Sequence, residues 1–214
     1  MSDEKSLYEA MSVGDMVRFT SSFFPKWRKD LEAKYLTKFD LPTTRKVADL
    51  SRGMRTKLAL LLSLCRGAEL LVLDEPTSGL DPAMTEEVLQ ALVSHVTNEE
   101  MTIFFSSHQL ADVEQIADRV VLIDRGRTVA AGDLDTVRDS HGRLQAVFEG
   151  DAPAASLRST GIIRVDRRGR VLTVLAKGDL DAVVSEARGL GASSVDVLPV
   201  TLKEIFLESV ISEE

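Results

Sequence analysis

Cysteine is nearly absent from this chain of 214 residues: Cys65 stands alone, so no internal disulfide can form and a reducing compartment is permitted. It falls on the apolar face of a leucine-rich stretch, where it reads as a small buried hydrophobe. Basic runs are also scarce. The formal net charge is -8, which argues against a nucleic-acid scaffold, because such scaffolds draw their affinity from neutralising phosphates. Local basic stretches exist, such as Arg164 to Arg170, which reads as a solvated hairpin. Long hydrophobic runs are missing too. Those near Leu58 to Cys65 and Leu70 to Leu73 fall far short of the ~20 residues that span a bilayer. The opening MSDEKSLYEA has no basic-then-apolar signal pattern, so a membrane role is expected through a partner. What is present is ordinary for a packed chain: 44% hydrophobic and 28% charged residues, with length for one large domain or a domain plus a smaller one.

Ser12 with Asp15 matches a helix-start box, and Met16, Phe19 and Phe23 follow at helical spacing. Pro25 interrupts, and a second helical pattern runs from about Lys26 to Phe39, ending before Pro42. Most of the aromatics sit here: Tyr8, Phe19, Phe23, Phe24, Trp27, Tyr35 and Phe39. Such a stripe is usually core, with a docking surface as the alternative. A third helix begins at Ser51. Leu70 to Leu73 then ends in Asp74 and Glu75, which reads as a buried parallel strand. Asp81-Pro82 starts a further helix, Thr102 to Phe105 is a strand, His108 to Ala117 a helix and Val120 to Ile123 a strand. The alternation predicts a parallel sheet covered by helices. The character changes near Ser140-His141-Gly142. Beyond it, strands at Leu144 to Phe148, Ile162 to Asp166, Val171 to Leu175 and Val195 to Leu198 alternate with helical patterns from Asp179 and Leu202, a small α+β unit.

Two carboxylates, Asp74 and Glu75, emerge at the carboxyl end of the apolar strand, where open α/β sheets bind ligands. A carboxylate there can hold magnesium while its neighbour orients or deprotonates a water. Alone, this is equally well a strand that terminates in acids. It is followed at once by Thr77-Ser78-Gly79-Leu80-Asp81, a glycine turn into a capped helix, and preceded by Leu50-Ser51-Arg52-Gly53-Met54 at a helix start. Free N–H groups at such a start suit phosphate oxygens, although Ser51 taken singly is better read as an N-cap. Ser106-Ser107-His108 places a histidine at the end of the next strand, beside the acids.

In this order, these elements closely resemble the ATP-binding subunits of ABC transporters, over roughly Ser6 to Gly132. Leu50 to Gly53 looks like that family's signature, Leu70 to Glu75 like its Walker B strand, Ser78 to Asp81 like its D-loop, and His108 like its switch histidine. The resemblance implies a partial P-loop-type α/β ATPase domain over residues 1–139. It would comprise a helical subdomain at about 7–65 and a Walker B/switch core at about 66–139, followed by a small α+β accessory domain at 140–214. It further implies ATP and Mg2+ as cofactors, with Asp74 serving the metal, Glu75 as catalytic base and His108 on the terminal phosphate. Ser51, Arg52, Gly53, Met54 and Asp81 would meet the nucleotide, Ser51, Gly53 and Asp81 doing so across a dimer interface. The implied partners are a membrane permease and a second ATP-binding subunit, at the cytoplasmic face of the cell membrane. Arg52 and Met54 depart from the commonest signature, where glycine and glutamine stand, in a way familiar among exporters. The C-terminal unit's order of strands and helices, closing with Leu202 to Leu207, resembles the appended domain of drug- and lipid-exporter ATPases.

The same family needs a phosphate loop, G-x-x-x-x-G-K-[ST], yet no Gly-Lys dipeptide occurs here and the first glutamine is Gln90, too late for its Q-loop. The chain is therefore expected to begin just beyond those elements, at an internal methionine of a longer gene, and to be inactive alone. Two rivals stand beside this reading. One is a translation or DNA-repair ATPase, which predicts tandem cassettes, a coiled coil or a basic linker; none is visible. The other is a non-enzymatic interaction module.

Overall fold

A computed structural model describes residues 7–99, 101–153 and 157–211. Ser6, where the family resemblance starts, lies outside them. The contacts divide the chain into two compact units, Met1–Asp112 and Val113–Glu214. The boundary expected from sequence was 139/140; the hairpin and short helix before that point fall on the second unit's side.

In the first unit, α1 (Val13–Ser21) begins as its sequence dictates. Ser12 Oγ accepts from the Asp15 N–H at 3.1 Å and the Asp15 carboxylate accepts the Ser12 N–H at 3.4 Å, closing a capping box, to which the Ser12 hydroxyl adds a 2.6 Å bond to the same carboxylate. α2 (Lys29–Lys38) starts three residues later than its apolar spacing suggested. Between them, the chain turns through hydrogen bonds from Phe23, Phe24 and Trp27 N–H groups. α3 (Arg52–Leu64) is the centre of this layer: Leu58, Leu60, Leu61 and Leu64 are fully buried, and Val13, Leu31, Tyr35 and Leu92 from α1, α2 and α4 (Pro82–Glu99) are buried with them. Cys65, at the end of α3, is buried as expected, and burial pushes its thiol up to about 12. Buried Lys57 of α3 is neutralised by Glu87 of α4.

β1 (Leu70–Asp74) pairs in parallel with β2 (Thr102–Ser106), in a register that sets Leu70 against Thr102 and Asp74 against Ser106. The expectation of a strand buried on both faces is corrected here. Leu71 and Leu73 are buried, but Leu70 and Val72 are 56% and 52% exposed, and Phe104 opposite Val72 is 62% exposed. Leu70, Val72 and Phe104 alternate with the buried Leu71 and Leu73, so one face of this two-stranded sheet has no cover among the described residues. After β2, α5 (Leu110–Ile116) spans the division between the units.

In the second unit, β3 (Arg119–Asp124) pairs with β4 (Arg127–Asp133) antiparallel, not parallel, and β4 was not foreseen from sequence. Arg125 and Gly126 have φ of 45° and 78°, the two positive values that a tight two-residue hairpin turn requires. Then follow α6 (Leu134–Asp139) and a four-stranded sheet ordered β6-β7-β5-β8, from β5 (His141–Val147), β6 (Ile162–Arg168), β7 (Val171–Lys177) and β8 (Ser194–Leu198). All its pairings are antiparallel, with the β6–β7 turn at Gly169 where the hairpin was expected. α7 (Leu180–Gly189) buries Val183 and Ala187 against Leu144, Ala146, Leu172 and Val174. α8 (Leu202–Ile211) is tied down by a bond from the Leu202 N–H to Glu114 at 2.5 Å and one from Arg143 to Glu204 at 2.6 Å. No helix among the described residues is long and apolar enough to cross a membrane.

Candidate functional site

The parallel register of β1 and β2 decides where the chemistry sits. Because Asp74 lies opposite Ser106, the Ser106 hydroxyl donates to Asp74 Oδ1 at 2.6 Å and accepts the Glu75 N–H at 3.1 Å. Glu75 itself has a φ of 45°, a left-handed conformation that a non-glycine residue adopts at a cost of about 1 kcal/mol or more. That twist stops the strand and brings the carboxylate over to the end of β2. There Oε1 accepts the His108 N–H at 3.0 Å and Oε2 meets His108 Nδ1 at 2.8 Å. A carboxylate only accepts, so Nδ1 carries the proton and the tautomer is set by Glu75. The Glu75 side chain is 23% exposed and the His108 side chain 68% exposed, so the pair lies open to a ligand. Asp74, Glu75 and His108 are thus brought together as their positions in sequence suggested, through Ser106, which was not singled out as a site residue.

The signature residues form a second cluster. Ser51 is the N-cap of α3, its hydroxyl accepting the Met54 N–H at 3.2 Å, so the plain capping role is realised. Gly53 is buried, and a Cβ there would stand 2.2 Å from Met84 Sδ, so its missing side chain is what lets α3 approach α4. Gly79 has a φ of 69°, and a Cβ on it would stand 2.3 Å from the Arg52 Cζ. Arg52 therefore lays its guanidinium over the glycine turn. Met54 Sδ lies 3.9 Å from Arg45 Nη1, a weak contact. Asp81 caps α4, Oδ1 accepting the Met84 N–H at 2.9 Å, and Pro82 takes the first helical position. The signature and glycine-turn residues are in contact with one another through Arg52, Gly53, Gly79 and Met84.

A bond that sequence reasoning missed joins the segments that follow Glu75 and His108. Thr77 and Asp112, 35 residues apart and both buried, are joined by a 2.6 Å bond from the hydroxyl to Asp112 Oδ2. No local pattern signals a contact of that separation. As to metals, among the described residues no group of three or more His, Cys, Asp and Glu could hold an ion. Asp74 with the Ser106 hydroxyl offers hard oxygen donors, which suit a magnesium ion that takes its remaining ligands from water and phosphate.

A family model described as "AAA domain, putative AbiEii toxin, Type IV TA system" matches residues 3–111. The chain is 28% identical over 204 residues to the ABC transporter ATP-binding protein YtrB of Bacillus subtilis, covering 95% of this chain and 70% of that one. The chain belongs to the AAA-domain family, and the relatives it matches are ATP-binding proteins of ABC transporters. It is also 33% identical over 183 residues to the daunorubicin resistance ATP-binding protein DrrA3 of Streptomyces coeruleorubidus, covering 82% of this chain and 57% of that one. A solved structure of an ATP-binding subunit of an ABC transporter superposes with a TM-score of 0.55 at 27% identity, covering 63% of this chain and 57% of the other. The α/β fold is therefore that of ABC ATPase domains, and the chain spans about half to four-fifths of the length of the curated relatives it matches.

Proposed function

We propose that this chain supplies the hydrolytic and signature residues of an ATP-driven export transporter. The observation that carries the reading is the Glu75–His108 pair, held at the carboxyl ends of two parallel strands beside Asp74. Glu75 takes the proton of the attacking water as the new P–O bond forms and the bond to the bridging oxygen breaks. His108 orients the Glu75 carboxylate through two donors and lies open to the terminal phosphate. Asp74, steadied by Ser106, would hold a magnesium ion, which when bound offsets phosphate charge. Ser51, Gly53 and Asp81 act across a dimer interface on ATP held by a second subunit, with Arg52 and Met54 also meeting the nucleotide and α3 offering its N-terminal N–H groups.

The phosphate loop is not among these 214 residues, so hydrolysis is assigned to an assembly in which another segment grips the phosphates. The export direction is supported by the Arg52 and Met54 variant of the signature and by the likeness to a protein named for drug resistance. The permease is proposed to dock on the opening helices, at the cytoplasmic face of the membrane. There Tyr8, Phe19 and Phe23 stand exposed, their rings edge to face at 5.3 and 5.1 Å. Tyr35 and Phe39, by contrast, are stacked inside the core.

The test is ATP hydrolysis by the chain with and without a phosphate-loop segment fused ahead of it. The chain alone should turn over near background. The fusion should hydrolyse ATP, and Glu75→Gln in it should lower the rate by ~10²–10⁴ while ATP binding persists. Wild-type turnover by that variant moves the base elsewhere.

A further inference from the structure

We propose that Thr77 and Asp112 are the positioning pair that sets the geometry between Glu75 and His108. Thr77 lies two residues after Glu75, in the turn where Ser78 and Leu80 N–H groups bond back to the Glu75 and Thr77 carbonyls. Asp112 lies four residues after His108, in the first turn of α5. Beyond the strand ends, where Ser106 bonds Asp74 and the Glu75 N–H, the two segments that carry the hydrolytic pair are joined by two further ties. One tie is the Glu75–His108 contact itself, which is open to solvent. The other is the Thr77–Asp112 bond, whose residues are 1% and 8% exposed.

The second tie is the one built to last. A hydroxyl donating to a carboxylate at 2.6 Å falls in the short, charge-assisted range. Away from water it meets little competition, and losing the donor leaves a buried carboxylate unsatisfied. Asp112 receives no other side-chain bond among the described residues, so Thr77 alone holds it. The backbone around it is also fixed, through the Asp112 N–H bond to the Gln109 carbonyl at 3.0 Å and the Gln109 N–H bond to Ser107 Oγ at 3.0 Å. A shift of α5 relative to the Glu75 turn must first break the buried tie. Neither residue touches the reacting atoms; they act through Glu75 and His108. The functional consequence rests on the hydrolytic reading of that pair, whereas the geometric claim does not.

The experiment reads the His108 imidazole by NMR in the intact chain, at one fixed pH, with the signal assigned from His108→Gln. Glu75→Gln marks the position His108 takes when its carboxylate partner is lost. Thr77→Val, which removes the hydroxyl at nearly constant shape, should move the His108 signals at least halfway to that mark. Thr77→Ser should restore them to the wild-type position, and His95 and His141 should stay unmoved in both. Asp112→Asn, a milder change that keeps an acceptor for Thr77, should shift His108 the same way by less, and it decides the matter if Thr77→Val does not fold. A folded Thr77→Val or Asp112→Asn protein with His108 at its wild-type position overturns the proposal. In the phosphate-loop fusion, Thr77→Val should lower turnover at least fivefold with little change in KM. If His108 moves as stated but neither Thr77→Val nor Glu75→Gln slows turnover, the positioning stands and the hydrolytic reading falls.

Discussion

In the second unit, β5 and β7 turn Leu144, Ala146, Leu172 and Val174 inward, where α7 seals them with Val183 and Ala187. In the first unit, β1 and β2 are as apolar, yet Leu70, Val72 and Phe104 face outward without cover among the described residues. Both sheets have the alternation that a pleated strand imposes, with successive side chains on opposite faces. They differ in how much of the surrounding layer is present. The four-stranded sheet has a helix on its apolar face. The two-stranded one has the pairing that sets a register, and no layer over its second face among the described residues. Placing chemistry and burying apolar surface are therefore separable: a single pairing, Asp74 against Ser106, is sufficient to align the acids, while burial needs a further layer.

That contrast is sharpest under truncation. Leu172→Ala removes a fully buried side chain from the sealed core and should cost ~2–5 kcal/mol of the second unit's stability. Val72→Ser, on the open face, should change the first unit's stability by no more than ~0.5 kcal/mol. Urea titrations followed on backbone amide NMR signals of each unit separate the two. A large loss from Val72→Ser means that this face is covered in solution.

What the sequence announced was local or nearly so. The capping box at Ser12, the Asp81-Pro82 start and the order of strands around Asp74 and His108 depend on neighbours within a few residues, and each is where the pattern put it. The hairpin partner β4 was passed over because Arg127 to Asp133 mixes small and charged residues and lacks a clear alternation. The outward turn of Leu70 and Val72 was not legible either, since a continuous apolar run says nothing about which face will find a partner. Thr77–Asp112 and Gly53–Met84 are contacts between residues about thirty positions apart, which only the fold brings together.

Gly53 offers a smaller test within the first unit. A Cβ at this position collides with Met84 Sδ, but a methionine end is flexible and gives way more readily than backbone. Gly53→Ala should therefore cost ~1 kcal/mol, the low end for an overfilled contact. Met84→Ala should supply the missing space, so that adding Gly53→Ala in that background costs much less than it does alone. Equal costs in both backgrounds, measured by the same titration, would place the glycine's requirement elsewhere, at the N–H group it offers.

The smallest effect concerns the layer that the first unit does complete, at the start of α1. Asp15 is held below the usual carboxylate range, first by the side-chain bond from Ser12, then by its backbone N–H, with Arg18 adding to it. A carboxylate whose folded pKa is depressed contributes stability that is fully present above its unfolded value, about 3.9. That contribution is lost as pH falls through the lowered folded value. Asp15→Asn keeps the shape and removes the charge, so its stability gap to wild type should be open at pH 7 and begin to close below pH ~4. Comparing the two proteins cancels the other carboxylates that titrate in the same window. Added salt should narrow the gap by screening the exposed Arg18 pair while leaving the Ser12 bonds in place. Thermal melts at pH 7 and pH 3 measure it, and a gap that widens on acidification reverses the sign and removes Asp15 from the capping account.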